Sequence, residues 1–255
     1  MIDSVEWSTP GSDLALGSRQ VDIWRVWLDV EPQETARFFS FLTVEERSRA
    51  NRFVFSRDRD RFVVARGTLR QLAGAYLRTS PADLRLEAGP YGKLTFVDNP
   101  HLRFNLAHSS GLGLYVFTME REVGIDIERI QDEFASELIA ERYFSIIERN
   151  ELRGLPMEMR VKAFFLCWTR KEAFVKAIGQ GLQIPLDSFD VSVSPNQPAK
   201  LRCEQEGHWT MRSFYAAENY IGSTVIEGDP QSVRFWDFQR PGQEFANELA
   251  KDAEY

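Results

Sequence analysis

Two cysteines in 255 residues, Cys167 and Cys203, leave no disulfide framework and no cysteine zinc site, and they fit a reducing compartment. No stretch approaches the roughly 18 consecutive apolar residues that span a bilayer; the densest, residues 163–168, reads as the core of a helix. The opening segment, MIDSVEWSTPGSD, is acidic and polar and carries no secretory-signal pattern. The expectation is a cytoplasmic protein with no membrane partner. A Walker-type glycine loop is absent, which removes the nucleoside-triphosphatase reading. No nucleic-acid reader motif occurs, and a net charge of −7 argues against a nucleic-acid partner.

What is present suffices for a globular core, with 43% hydrophobic and 13% aromatic residues; the length suits one large domain or two small ones. Charge is uneven. Between Arg47 and Arg78 nine arginines face only Asp58 and Asp60, a basic segment that by itself suits nucleic acid, an acidic protein or a phosphate-rich small ligand, or is simply a solvated helix face. The chain also echoes itself. Residues 42–47 followed by 62–65 parallel residues 144–149 followed by 164–167, with Thr43 answering to Ser145 at an offset of 102 residues. A strand-rich stretch follows each helical one, which indicates an α+β fold made by duplication with a seam near Glu120–Val123. The expected division is 1–121, 122–240 and a weakly patterned, loose tail over 241–255.

Chemistry concentrates at that seam. In Val123-Gly-Ile-Asp126-Ile-Glu128 the apolar residues alternate with Gly124, Asp126 and Glu128, so both acids point to one side of a strand. A helical pattern runs from about Met159 to Ile178 and stops at Gly179 and Gly181. Its apolar stripe of Val161, Phe165, Trp168 and Val175 is interrupted by Glu172, a carboxylate that is costly there unless paired or bound to a cation. Lys176 lies one turn on, on the same face, whereas Lys171 is turned about 100° away. An acid-x-acid strand end alone is a solvated edge, and a Glu–Lys pair alone is a surface ion pair worth about 0.3–0.5 kcal/mol. Together they matter more, because carboxylates about 4 Å apart cost on the order of 4 kcal/mol per pair at an effective dielectric near 20.

VGIDIE, about forty residues, then W-x-x-KEA-x-x-K and G-x-GL closely resemble the signature of the 4′-phosphopantetheinyl transferases, in particular their larger, surfactin-synthetase-activating (Sfp-type) class. Gly89-Pro90-Tyr91-Gly92-Lys93, Phe104-Asn105-Leu106-Ala107-His108-Ser109 and Tyr143-Phe144-Ser145-Ile146-Ile147-Glu148 are similar to three further elements of that class, in the same order. The resemblance runs from about Phe41 to Phe189. Leu94 and Ala107 depart from it, standing where proline and serine are usual, and Ala107 removes a hydroxyl that could have met the cofactor.

The resemblance implies two similar half-domains related by pseudo-twofold symmetry, with coenzyme A in the cleft between them. It implies Asp126, Glu128 and Glu172 as ligands of Mg²⁺ (or Mn²⁺), with pyrophosphate oxygens completing the shell. Lys176 and Lys171 would neutralise the pyrophosphate. Arg49, Arg61, Gly92, Lys93 and His108, with Asn105 and Ser109 on the same wall, would address the 3′-phosphate and nucleotide. Glu148 would act as base or water-positioning group, with helix capping as its structural alternative. The expected reaction is Mg²⁺-dependent transfer of the 4′-phosphopantetheine arm of coenzyme A to a serine of an apo acyl or peptidyl carrier protein, releasing adenosine 3′,5′-bisphosphate. The expected state is a monomer, because a duplicated chain carries its own pseudo-dimer. Two alternatives stay open: a non-catalytic binder of coenzyme A or carrier, and a metal-dependent phosphodiesterase that uses water.

Overall fold

The computed structural model describes residues 2–11, 14–131, 137–203 and 206–238; the tail expected over 241–255 lies outside the described residues. The first half runs β1 (Gln20–Trp27), α1 (Pro32–Ser40), α2 (Val44–Ala50), α3 (Ser56–Leu77), β2 (Leu86–Ala88), β3 (Leu94–Phe96), β4 (Leu102–Ser109) and β5 (Leu112–Met119). The second runs β6 (Val123–Arg129), α4 (Glu137–Tyr143), α5 (Ile146–Gly154), α6 (Met157–Ile178), β7 (Asp190–Val191), β8 (Leu201–Arg202), β9 (Trp209–Ala217) and β10 (Tyr220–Glu227), followed by β11 (Ser232–Asp237). This is an α+β fold in which β6-β10-β9 repeats the strand order β1-β5-β4. A short hairpin, β2-β3 or β7-β8, accompanies each sheet.

Local chemistry repeats as well. Thr43 and Ser145 each close a capping box with the glutamate three residues on, Glu46 and Glu148, and so start α2 and α5. The 22-residue helices α3 and α6 end on left-handed residues, Arg78 and Gly179. Ser110 and Gly111, both at positive φ, make the tight turn between β4 and β5.

The core forms layers. Helices α1–α3 cover one face of the first sheet over Trp24, Val26, Leu69 and Phe117. α6 covers the second sheet over Phe164, Phe174, Ile221 and Val225. Between the sheets, Val21, Ile23, Leu114 and Val116 meet Ile125, Ile127, Phe214 and Ile226. The alternation read from VGIDIE follows from this: Val123, Ile125 and Ile127 enter the inter-sheet core, and Asp126 turns toward α6.

Segments 2–8 and 232–237 cross between halves. β11, within the expected 122–240 segment, pairs in parallel with β1 and covers an edge that would otherwise expose unpaired backbone groups. Asp3 bridges to Phe214 of β9, and Ser8 bridges to Trp236 of β11. Trp7 sits edge-on to both Phe214 and Phe235, with the Arg25 guanidinium over its ring. Among the described residues no helix is long and apolar enough to cross a membrane.

Candidate active site

The seam between halves runs where β4 lies beside β6 without a backbone ladder. Asn105 supplies a missing partner, its Oδ1 accepting from the Ile125 amide at 3.0 Å. Ser109 does the same at the other end, donating to Glu128 Oε2 at 2.8 Å and accepting from the Arg129 amide at 3.2 Å. On its other face β6 is pressed against α6 through Gly124. A Cβ there would lie 2.1 Å from the Ala173 carbonyl oxygen and 2.3 Å from the Ala177 nitrogen, so only glycine permits this approach.

The close approach brings Lys176 to Asp126, Nζ to Oδ1 2.6 Å. The second oxygen, Asp126 Oδ2, is buried and has no hydrogen-bond partner. Burial pushes the Asp126 carboxyl up, against the pull of Lys176. Glu172 and Glu128 are raised too, first by burial and next by the charge of Asp126. Burial lowers the Lys176 ammonium, but Asp126, Glu172 and Glu128 outweigh it and hold the group above its ordinary value. One ammonium faces three carboxylates, and the local excess is negative.

Those features fit a hard divalent cation: oxygen donors only, an orphaned buried oxygen, and acids that penalise one another until a positive charge arrives. Among the described residues, however, no three acidic, histidine or cysteine side chains stand in ligating geometry. The Lys176 ammonium takes up one oxygen of Asp126 instead.

Two cavities flank the acids. One, of about 290 Å³, is lined by Gly92, Lys93, Asn105, Glu172, Lys176 and Leu186, among others. The other, of about 300 Å³, lies beside Glu128 and Ser109 against Ile139, Phe164, Phe165 and Trp168. Gly92 forms the tip of the β2–β3 turn at positive φ. Lys93 reaches the cleft wall, but its ammonium donates to Glu122 Oε2 and Ala177 O, both at 2.7 Å, and ties the hairpin to α6. His108 is exposed on β4, and its imidazole is held below the usual value by partial desolvation and by the charges of Lys176 and Arg61. Arg61 is held bidentately by Asp29, with both contacts at 2.6 Å.

Arg49 lies apart from the acids, over the Phe62 ring, in a cavity of about 670 Å³ shared with Arg52, Arg66, Leu86 and Leu94. Arg66 there is pulled down by burial and by the charges of Arg70 and Arg49, with Glu46 opposing.

Glu148 and Lys171 are not brought into the cleft. Both are fully buried and paired to each other at 2.8 Å. Lys171 was expected to face the pyrophosphate; its neighbours are the carbonyls of Leu186 and Phe189. Glu148 caps α5, the structural alternative raised for it above.

Sequence reasoning missed Asp29, Glu122 and Arg66. Glu122 precedes the VGIDIE run and could have been noticed there; Asp29 sits in a loop with no local signal.

A family model described as "4′-phosphopantetheinyl transferase superfamily" matches residues 122–225. The chain is 33% identical over 235 residues to the 4′-phosphopantetheinyl transferase HetI of Nostoc sp. PCC 7120, covering 91% of this chain and 98% of that protein. It is 32% identical over 171 residues to the 4′-phosphopantetheinyl transferase Sfp of Bacillus subtilis, covering 66% and 75% of the two chains. Among solved structures, a holo-(acyl-carrier-protein) synthase from Bacillus anthracis matches at 22% identity and a TM-score of 0.37, over 42% of this chain and 96% of that one.

Proposed function

This chain belongs to the 4′-phosphopantetheinyl transferase superfamily, and on that premise we propose that it transfers the 4′-phosphopantetheine arm of coenzyme A to a serine of an apo acyl or peptidyl carrier protein. Adenosine 3′,5′-bisphosphate is the second product. The observation that carries the reading is the meeting of Asp126, Glu128, Glu172 and Lys176 at the seam between the halves.

Asp126, Glu128 and Glu172 are the residues that would hold Mg²⁺, or Mn²⁺ in its place. When bound, the cation supplies charge neutralisation to the pyrophosphate oxygens. Lys176 adds a compact positive charge, kept protonated by the acids around it. Gly92, Lys93 and Asn105 wall the cavity on the Glu172 side. His108, below its ordinary value, stays neutral near pH 7 and offers hydrogen bonding without adding a further charge beside Lys176 and Arg61. Ser109 orients Glu128. Arg61, pre-oriented by Asp29, and Arg49 with Arg66 in the arginine-lined cavity suit the 3′-phosphate and nucleotide end. The apolar cavity beside Glu128 suits the pantetheine chain on the side from which the carrier serine approaches. The working unit is a monomer.

Product release with and without carrier tests this reading. Adenosine 3′,5′-bisphosphate should form only when coenzyme A, a divalent cation and an apo carrier are all present. Product without carrier would make the protein a phosphodiesterase, and coenzyme A binding with no product would make it a binder.

A further inference from the structure

Glu148 and Lys171 sit in a buried device that the chain contains twice. In the second half, Glu148 Oε2 accepts from the Ser145 amide at 2.8 Å, and Oε1 accepts from the Val191 amide at 2.7 Å. Lys171 Nζ lies 2.8 Å from the same Oε1 and donates to Leu186 O at 2.6 Å and Phe189 O at 2.7 Å. An ammonium has three donors, and all three are taken.

In the first half, Glu46 Oε2 accepts from the Thr43 amide at 3.0 Å, again as the third residue of a capping box. Arg70, from the long helix that follows, donates to that same oxygen at 2.7 Å. It also donates to two carbonyls just beyond the helix, Pro81 at 3.0 Å and Leu84 at 2.9 Å. The first half holds none of the three acids at the seam, yet it keeps the device. The pair therefore belongs to the architecture of the repeated unit.

We infer that Glu148 and Lys171 are positioning residues rather than a base and a phosphate contact. They lock α5, α6 and the segment Leu186–Phe189 into one unit. Glu172, next to Lys171 and turned about 100° around the helix, then faces the cleft, and Leu186 stays on the cavity wall. The inference rests on Glu172 and Lys176 acting in that cleft, which loss of turnover in Glu172→Ala and Lys176→Ala tests separately.

Glu148→Gln tests it first, being isosteric; its single oxygen can accept from only one of the Ser145 and Val191 amides, so the device is loosened while the shape is kept. The expected result is kcat within about tenfold of the parent, with a rise in the KM for coenzyme A and Mg²⁺ as Glu172 shifts. A general base is worth about 10²–10⁴ in rate, so a folded E148Q protein with kcat lowered about a hundredfold or more would overturn the inference. Lys171→Met supplies the second arm. Alone it leaves a buried carboxylate uncompensated and lowers the melting temperature, and adding Glu148→Gln should restore part of that loss. No recovery in the double variant would show that the two residues are not one device.

Discussion

Asp126 is the residue on which the site turns, because one of its oxygens is paired to Lys176 and the other is buried with no partner. Replacing it by alanine should lower kcat/KM by about a hundredfold or more, as for loss of a group that acts on transition-state charge. Steady-state kinetics at limiting Mg²⁺ check this, and near-parent rates would remove Asp126 from the site. Glu172 offers a contrasting test. Its carboxyl is raised by burial and by Asp126, so ionisation there opposes folding. A raised carboxyl stabilises the fold below its unfolded value, 4.5 here, and that contribution is lost as pH climbs through the folded value. At neutral pH in EDTA, Glu172→Gln should therefore melt higher than the parent while losing activity. Added Mg²⁺ should raise the melting temperature of the parent and leave the variant almost unmoved. The same directions fix the pH dependence of turnover. Activity should rise with pH as the three acids ionise, and more Mg²⁺ should shift that limb to lower pH.

At the level of elements, β6 and α6 were legible because their signals are local. Alternation marked the strand, an apolar stripe marked the helix, and Gly179 marked its end; the structure begins the helix at Met157 rather than about Met159. The interruption of the stripe by Glu172 also pointed to the correct face. Lys171 was misjudged for a physical reason: a lysine one residue from Glu172 is assumed to seek solvent or ligand, and nothing local reveals the buried Glu148 and two carbonyls that receive it. The value of Gly124 was likewise invisible, since it depends on how closely a distant helix lies on the strand. Gly124→Ala forces a methyl into the α6 backbone, an overpacking cost of about 1–3 kcal/mol. It should also part Glu172 and Lys176 from Asp126, so denaturant unfolding and turnover should both suffer. Unchanged values for both would refute the close approach.

Across the whole molecule, the duplication announced itself through the 102-residue echo, and the strand orders β1-β5-β4 and β6-β10-β9 follow it. The crossing of β11 did not, because its pairing with β1 joins residues about two hundred positions apart with no motif between them. The seam between β4 and β6 carries the acids, whereas on the β1 and β9 side Trp7, Phe214 and Phe235 fill the space and Arg25 ties Ala216 to Asp237. Trp7→Ala should cost about 3 kcal/mol through lost packing, the low end for a tryptophan because Trp7 is only half-buried, while leaving the KM for coenzyme A unchanged, and a large KM effect would show that this side communicates with the cleft. The basic segment also reads differently in three dimensions. Arg59, Arg61 and Arg70 are engaged by Asp60, Asp29 and Glu46, and Arg66 lies 3.6 Å from the same Glu46, which leaves Arg49 and Arg52 along the cavity wall for an anionic ligand.

Carrier modification at a carboxylate-lined seam is tested most directly by intact-mass spectrometry of apo carrier domains incubated with the protein, coenzyme A and Mg²⁺. The carrier should gain the mass of one phosphopantetheine arm, and EDTA or Asp126→Ala should abolish that gain. A carrier that gains no mass although the protein binds coenzyme A, or a gain that survives both EDTA and Asp126→Ala, would contradict modification at that seam.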